Sequence, residues 1–468
     1  MQSELFEFAQ IFRELQITGS KMHPRFPRTD HYAVLHGGPF TFHLECKNMQ
    51  ERRVVVTGYG VISCVGKSVP EFWDSLVEGR CGLGPITRFD ASMCRTQIAG
   101  EIADFDPTQY NMTLKDAKRH DRFCQLAIAA SVEALKSAGL PVDLRESTSV
   151  DPTRAGVIVS SGVGGLRTLC DQHEILLSRG ADRVSPLLIP NMIGDIASGN
   201  ISILTGAAGP NMCITTACAS GNHAIGEAMW MIKRDDADIM ICGGAEAPIL
   251  PVAVGGFSAM KAMSQRNDDP QHASRPFDLN RDGFVMSEGS GVLILEELEH
   301  AKRRGAVILA EMVGYGATGD AYHITSPAPD GNGGGRAMQM ALRHAGMRPE
   351  ELDYINAHGT STHLNDKFET LAIKQCFGEH AYNLAISSTK GSTGHGLGAA
   401  GGFECIACIK AIETGIVPPT INYETPDPEC DLNYTPNKAV RREIKTALNT
   451  NLGFGGHNAA VIFKKYEA

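Results

Sequence analysis

Short apolar runs alternate with longer stretches of helical periodicity from Arg52 to the end of the chain. The runs AGVIVSSG, ADIMICGG and GVLILEEL show little alternation of polar residues, which predicts strands buried on both faces of a sheet. LAIAASVEALKSAG and GGRAMQMALRHAG place apolar residues at helical spacing and end at glycine, which predicts helices. This pattern predicts an α/β fold with helices on both sides of the sheet.

The chain also contains a weak internal repeat. The segment EGSG followed by VLILEE is echoed by GFGGHN followed by AAVIFKK, and TRAGVIVSSG is echoed by ELDYINAHGT. Their spacing predicts two copies of one α/β unit, over residues 51–300 and 301–468. Two such halves packed face to face would bring their strand ends together around one central site.

Residues 1–50 differ in texture from the rest of the chain. They mix charges of both signs and then give way to the β-branched run RRVVVTGYGVIS, which is typical of a buried first strand. We interpret them as an N-terminal extension, either disordered or translated from an upstream start codon. The four histidines of this extension are interpreted as incidental rather than as metal ligands; they are His23, His31, His36 and His43.

Composition narrows the functional classes. The 468 residues carry a formal net charge of -10, which gives no indication of nucleic-acid binding. No apolar run reaches the roughly 18–20 residues that a membrane span requires, and no signal peptide is evident. The 13 cysteines lack disulfide-type spacing. Cys405 and Cys408 lie in a helical pattern and are interpreted as buried apolar residues. We therefore predict a cytoplasmic protein without membrane insertion.

Three segments carry candidate chemistry. Cys218, in TACASG, lies where an apolar lead should turn into a long helix, and a helix N-terminus favours the thiolate form of a cysteine. His358 follows the predicted strand in YINAHGTST. Lys390 and His395 lie in the glycine-rich loop of SSTKGSTGHGLGAAGG. Because ligands gather at strand ends in α/β sheets, these residues predict an acyl-transfer enzyme that uses a cysteine and histidines.

From about Arg52 to Ala468 the chain resembles the elongating β-ketoacyl-[acyl-carrier-protein] synthases of type II, most closely those of Gram-positive bacteria. The similarity lies in RRVVVTGYGVIS, TACASG, SRPFDLNRDGFVMSEGSGV, GDAYHIT, AHGTST, SSTKGSTGHGLGAAGG and NLGFGGHNA. The resemblance implies a thiolase-like fold with a duplicated, five-layered α/β/α/β/α architecture, and a homodimer. It also implies that no metal or organic cofactor is used.

The resemblance implies a role for each matching residue. Cys218 would be the nucleophile that accepts the acyl group, and His358 and His395 the paired histidines of the decarboxylating subclass. Lys390 would be the active-site lysine, with Glu369 as its ion-pair partner.

Further residues match positions that contact the substrates. Backbone N–H groups of Cys218 and Phe454 would form the oxyanion hole, and the Phe454 ring would gate the thiol. The hydroxyls of Thr360 and Thr362 would meet the pantetheine arm, and Val163 would set the depth of the acyl pocket. An acidic acyl carrier protein would dock on Lys115, Lys118 and Arg119, whose spacing places them on one helix face.

The implied reaction is decarboxylative condensation of malonyl-carrier protein with acyl-carrier protein. Departures from the family pattern are Ser220, Ser287, Gly391-Ser392 and Gly396, and none removes a catalytic group. Alternatives are a free-standing polyketide ketosynthase and a thiolase or chalcone-synthase-like enzyme, the latter disfavoured by the sequence around His395. A non-catalytic chain-length subunit would lack the nucleophile, whereas Cys218 is present.

Overall fold

Ten strands form one mixed sheet in the computed structural model, which describes residues 52–467. The strands are β1 (Val54–Ser63), β2 (Ala155–Ser160), β3 (Asn211–Met212), β4 (Ile239–Glu246), β5 (Gly289–Glu297), β6 (Ala310–Gly319), β7 (Tyr354–Asn356), β8 (Ala385–Ser387), β9 (Thr446–Gly453) and β10 (His457–Lys464). Two short hairpin-like pairs, Gly84–Pro85 with Ile98–Ala99 and Ile416–Val417 with Val440–Arg441, lie outside it.

Helices occupy most of the connections between the strands. They are α1 (Val69–Glu78), α2 (Leu114–Ala117), α3 (Arg122–Ser137), α4 (Leu166–Arg179), α5 (Leu188–Met192), α6 (Ile196–Thr205), α7 (Ser220–Lys233), α8 (Pro251–Ala259), α9 (Leu298–Arg303), α10 (Asn332–Ala345), α11 (His363–Phe377), α12 (Lys390–Thr393) and α13 (Ala400–Thr414). The predicted strands and helices are confirmed: every residue of β2, β4 and β5 is buried, and α10 ends at Gly346 in the left-handed conformation.

The strand order shows the predicted duplication. From one edge the order is β3-β2-β4-β5-β1, and it continues as β6-β10-β9-β7-β8. Adding five to each number of the first half gives the second half in mirror order, and the parallel and antiparallel pairings repeat as well. The two first strands, β1 and β6, pair antiparallel at the centre. The halves are therefore related by an approximate two-fold axis.

Helix packing builds five layers from this sheet. The outer layers are α3, which covers the first half of the sheet, and α10, which covers the second half. The middle layer consists of α7 and α13, which pack against each other and against strands of both halves. Gly60 in the first half and Gly316 in the second lie at equivalent positions and allow the outer helices to approach the sheet. A Cβ at Gly60 would lie 2.1 Å from the carbonyl oxygen of Ala130, and one at Gly316 would lie 2.0 Å from that of Ala337. The predicted five-layered α/β/α/β/α architecture is confirmed.

Three further predictions concern the N-terminal extension, the cysteines of α13 and membrane-spanning helices. The N-terminal extension and its histidines lie outside the described residues. Cys405 and Cys408 are fully buried on α13 and unpaired, as predicted. Among the described helices, none combines the length and apolar character that crossing a bilayer requires.

Candidate active site

Cys218, the predicted nucleophile, lies on a tight turn ahead of a buried helix. Ala217–Ala219 forms a 3₁₀ turn that leads directly into α7, and Ala217 has a φ of 51°, in the left-handed region. Small residues around the turn allow α7 and α13 to meet there; a Cβ at Gly221 would lie 2.9 Å from the carbonyl oxygen of Gly398. The turn aims the Cys218 side chain into a cavity while leaving it only 7% exposed.

That cavity has a volume of about 340 Å³ and collects residues from both halves of the fold. Residues that sequence analysis predicted for the site line it: Cys218, His358, His395, Thr360, Thr362 and Phe454. The Cys218 Sγ and ring nitrogens of His358 and His395 all lie within 4.8 Å of one another. The structure thus brings the predicted cysteine and both predicted histidines together.

His395 is in hydrogen-bond contact with the nucleophile. Its Nε2 lies 3.0 Å from Cys218 Sγ. Burial raises the pKa of the Cys218 thiol to about 12, although the nearby Lys390 charge and the backbone N–H of Phe454 oppose the shift. Burial and Lys390 hold the pKa of His395 well below its usual range. The resting pair is therefore a neutral thiol in contact with a neutral imidazole.

This result corrects the expectation that the helix N-terminus favours a thiolate. Lys390 and the backbone N–H groups of Cys218 and Phe454 lower the pKa of Cys218, but burial of the sulfur raises it by more. A proton that leaves Cys218 could pass to His395 Nε2, which lies 3.0 Å from the sulfur.

The environment of His358 fixes its tautomer. Asn451 Nδ2 donates to Glu404 Oε2 at 2.7 Å, which orients the amide, and it also lies 3.2 Å from His358 Nδ1. His358 Nδ1 must therefore accept, so its Nε2 carries the hydrogen. Burial, Lys390 and His395 keep the pKa of His358 well below its usual range. His358 is thus a neutral donor. His395 Nδ1 has no hydrogen-bond partner among the described residues, so neither tautomer of His395 is fixed.

Lys390 forms its ion pair with Glu404, not with the predicted Glu369. Lys390 and Glu404 are 1% and 2% exposed, and the pair lies behind the two histidines. Glu369 instead accepts the backbone N–H groups of His358 and Gly359, each at 2.7 Å. Burial raises the pKa of Glu369 to about 7. Glu369 therefore supports the backbone at His358 rather than the charge of Lys390.

Two backbone N–H groups face the Cys218 sulfur. Those of Cys218 and Phe454 both interact with the thiol sulfur. The Phe454 ring packs on Phe257, with 6.2 Å between the ring centroids. Thr360 Oγ1 and Thr362 Oγ1 lie 2.9 Å apart on the cavity wall. These groups could bind a thioester carbonyl and the polar arm that carries it.

Four predicted residues lie away from this cavity. Val163 does not line it, and its side chain is 42% exposed in the single chain. Lys115, Lys118 and Arg119 are exposed, but α2 ends at Ala117. Lys118 and Arg119 follow the helix, so the prediction that all three share one helix face is wrong. Lys118 and Arg119 also line a second cavity of about 390 Å³ between α3 and α4.

Sequence reasoning missed two residues that complete the site, Asn451 and Glu404. Asn451 is the first residue of NLGFGGHNA, three positions before Phe454. Glu404 lies 14 positions after Lys390, on α13. No local signal in the sequence distinguishes Glu404 from Glu369 as the partner of the lysine.

Comparisons with known proteins agree with this geometry. Residues 51–301 match the family described as Beta-ketoacyl synthase, N-terminal domain, and residues 309–424 match Beta-ketoacyl synthase, C-terminal domain. A 3-oxoacyl-[acyl-carrier-protein] synthase 2 of Synechocystis is 53% identical over 420 residues, which cover 90% of this chain and 100% of the relative. One from Staphylococcus aureus is 50% identical over 419 residues, with the same coverage.

A solved structure shows the same fold. It is a type II polyketide ketosynthase in complex with its acyl-carrier protein, with 36% identity and a TM-score of 0.81, covering 89% of this chain and 100% of that one. Fold and site together define a condensing enzyme of the thiolase-like class. The chain belongs to the β-ketoacyl synthase family. The predicted resemblance is confirmed, and it is not confined to Gram-positive relatives.

Proposed function

We propose that this protein elongates fatty acids by condensing malonyl-carrier protein with acyl-carrier protein to give 3-oxoacyl-carrier protein, CO₂ and free carrier. The observation that carries the proposal is the pair of neutral imidazoles beside a buried thiol in one cavity. Two uncharged donors suit the oxygen of an enolate, the species formed when malonyl loses CO₂. The curated relatives at 50–53% identity carry the corresponding name.

In the first half-reaction Cys218 takes the acyl group. Its S–H proton moves to His395 Nε2 as the sulfur attacks the thioester carbonyl, and the N–H groups of Cys218 and Phe454 bind the developing oxyanion. The tetrahedral intermediate collapses, the C–S bond to the carrier breaks, and the leaving thiolate recovers the proton from His395. The product is acyl-Cys218 with both histidines neutral again.

In the second half-reaction the malonyl thioester occupies the vacated space. Its terminal C–C bond breaks, CO₂ leaves, and the electron pair forms an enolate whose oxygen accepts from His358 Nε2 and His395 Nε2. The adaptable tautomer of His395 permits it to accept in one half-reaction and donate in the other. The enolate carbon then attacks the acyl-Cys218 carbonyl and the C–S bond breaks. The released Cys218 thiolate takes up one proton from solvent, which each turnover consumes.

Direct assay tests the proposal. Purified protein would be incubated with malonyl-carrier protein and acyl-carrier proteins of graded length, and the products would be measured by intact mass. We expect one extension by two carbons per turnover. A second candidate, polyketide assembly, is favoured by the 36% identity to a ketosynthase bound to a hexaketide. Repeated extension without reduction of the keto groups would favour that alternative and overturn fatty-acid elongation.

A homodimer is part of the proposal. Strand β3 lies at an edge of the sheet, and both of its residues are exposed. Large apolar side chains are exposed beside it on α4, α5 and the edge strand: Leu169, Leu176, Leu177, Ile189 and Met212. A second copy pairing edge to edge about a two-fold axis would cover both features. Light scattering should therefore give twice the chain mass.

We place the enzyme in the cytoplasm. All 12 cysteines in the described part of the chain are unpaired, which suits a reducing compartment.

Carrier docking on Lys115, Lys118 and Arg119 gives a first prediction. Reversing all three charges should raise KM for both carrier-bound substrates about tenfold at low salt, because steering by exposed charges is lost. Pantetheine-bound analogues, which lack the acidic carrier, should be affected little. KM for each substrate form would be measured at low and high salt.

A matched control reverses Lys438, Arg441 and Lys445, which are equally exposed and line neither cavity. This variant makes the same change in net charge. If the two triple variants had equal KM values, the proposal that Lys115, Lys118 and Arg119 form the docking surface would be wrong.

Val163 gives a second prediction, that its volume limits acyl length. Its exposure in the single chain is compatible with a pocket that a second copy closes. Val163→Phe should lower kcat/KM for long acyl chains by roughly 5- to 100-fold and spare short ones, since a forced overlap costs about 1–3 kcal/mol. The measurement is kcat/KM across a series of acyl-carrier proteins.

Val307→Phe, at an exposed position between α9 and β6, is the control for added bulk. If Val163→Phe lowered kcat/KM by the same factor for every acyl chain length, Val163 would have no role in limiting the length of the chain.

A further inference from the structure

Glu246, the last residue of β4, is fully buried, and its carboxylate has four donors and no cation among its hydrogen-bond partners in residues 52–467. Its Oε1 accepts from the Ser161 hydroxyl at 2.6 Å and the Val163 N–H at 3.2 Å. Its Oε2 accepts from the Gly162 N–H at 2.8 Å and the Gly398 N–H at 3.0 Å. A buried carboxylate is costly without such donors, so this cluster is built around the acid group.

The approximate two-fold axis relates the surroundings of Glu246 to an equivalent part of the other half of the fold. The 3₁₀ turn Ala217–Ala219 before α7 has its counterpart in Leu397–Ala399 before α13, and both begin at positive φ, 51° and 47°. Cys218, the second residue of its turn, is therefore equivalent to Gly398. By the register of the two halves, Ser160 at the end of β2 is the counterpart of His358, and Gly162 is the counterpart of Thr360.

Glu246 therefore lies in the counterpart of the active site. In the catalytic half the Cys218 N–H faces the reacting sulfur; at the equivalent place the Gly398 N–H binds the Glu246 carboxylate. A Cβ added at Gly162 or Gly398 would lie 2.9 or 2.8 Å from Glu246 Oε2, so no cavity remains there. The duplicated unit thus holds a bound anion of its own where its equivalent binds a substrate oxyanion.

We propose that Glu246 is a positioning residue whose carboxylate fills this second, inactive anion site and joins the turn of Val163 to the turn that follows His395. By this contact it fixes the wall of the acyl pocket relative to the histidine that takes the Cys218 proton. The inference rests on the proposed function only where condensation is measured, since alkylation of Cys218 does not require that function.

The charge of Glu246 provides a readout that a purely structural role would not change. The groups that face Cys218 are His358 and His395, both neutral, the Lys390 cation and the Glu246 anion. Lys390 favours the thiolate and Glu246 disfavours it. Removing the anion should therefore make Cys218 more easily deprotonated.

The first experiment alkylates Cys218 with iodoacetamide across pH, following the Cys218 peptide by mass spectrometry, so it needs no carrier substrate. Glu246→Gln should react about threefold or more faster near pH 8, which corresponds to half a pKa unit or more. Glu246→Asp keeps the charge and should follow the wild-type profile. Glu296→Gln, a fully buried acid at the opposite end of the β4–β5 ladder, is the matched control and should also leave the profile unchanged.

The second experiment restores the missing anion. Glu246→Gly should lose about tenfold to hundredfold in kcat/KM for condensation, as expected when reacting groups are misplaced by a fraction of an ångström. Added formate, a carboxylate that fits the vacated place, should restore part of the activity in this variant and none in the Glu246→Gln variant. Should Glu246→Gly not fold, the alkylation profile of Glu246→Gln decides alone.

The outcomes separate the two proposals. An unchanged alkylation profile in folded Glu246→Gln would overturn the role of Glu246, whatever the enzyme condenses. A shifted profile in an enzyme that releases no 3-oxoacyl product would support the role of Glu246 and overturn fatty-acid elongation.

Discussion

Cys218→Ala is expected to abolish condensation while leaving the protein folded. A thioester requires a thiol, and among the described residues Cys218 is the only cysteine that lines the cavity. The turn loses only a sulfur atom, and alanine already occupies both neighbouring positions, so its backbone should be retained. Condensation would be followed by product mass, acyl-enzyme formation by intact mass, and folding by thermal denaturation.

Cys376→Ala is the control for the loss of a buried thiol. Cys376 lies on α11 and is 7% exposed, the same as Cys218, but it lies outside the cavity. This variant should condense at nearly the wild-type rate. If Cys218→Ala also condensed acyl chains at that rate, the assignment of the nucleophile would be wrong.

The two histidine variants are expected to fail at different steps. His358→Ala should still form acyl-Cys218 but lose malonyl decarboxylation by about 10²–10⁴-fold, the usual contribution of one positioned donor or acid. His395→Ala should lose decarboxylation by a similar factor and also acylate slowly, because its Nε2 is the group 3.0 Å from the thiol. Intact mass would follow acylation, and labelled CO₂ from malonyl-carrier protein would follow decarboxylation.

His223→Ala is a matched control for both variants. His223 is buried on α7, and burial lowers its pKa to about 4, but its Nδ1 contacts the Tyr315 hydroxyl outside the cavity. Its loss should cost stability and leave both half-reactions intact. Normal release of CO₂ by His358→Ala and by His395→Ala would refute the role of the pair.

Much of the fold was predictable because it is carried by local patterns. The runs that became β2, β4 and β5 are apolar throughout, and the echoes EGSG–VLILEE and GFGGHN–AAVIFKK became β5 and β10, equivalent strands of the two halves. The meeting of Cys218, His358 and His395 was also predictable, because each lies in a short motif at the end of an element.

Two features of the site could not be predicted, for a shared physical reason. The partner of Lys390 depends on which acid points toward it after α11 and α13 have packed, and Glu369 turns instead to backbone N–H groups. The protonation state of Cys218 depends on burial created by residues far away in sequence, whereas the helix end is a local feature. In both cases tertiary packing outweighs the local signal.

The pairing at the centre of the sheet has a consequence for chain connectivity. Val54 of β1 and Phe463 of β10 flank the same residue of β6, Met312, from its two sides. Two strand spacings, about 10 Å, therefore separate them. The link between β5 and β6 passes through the exposed residues Gly305 and Val307. A circular permutant joined across that 10 Å gap and opened near Gly305 would contain every strand neighbour of the present sheet, so the fold does not depend on which half comes first.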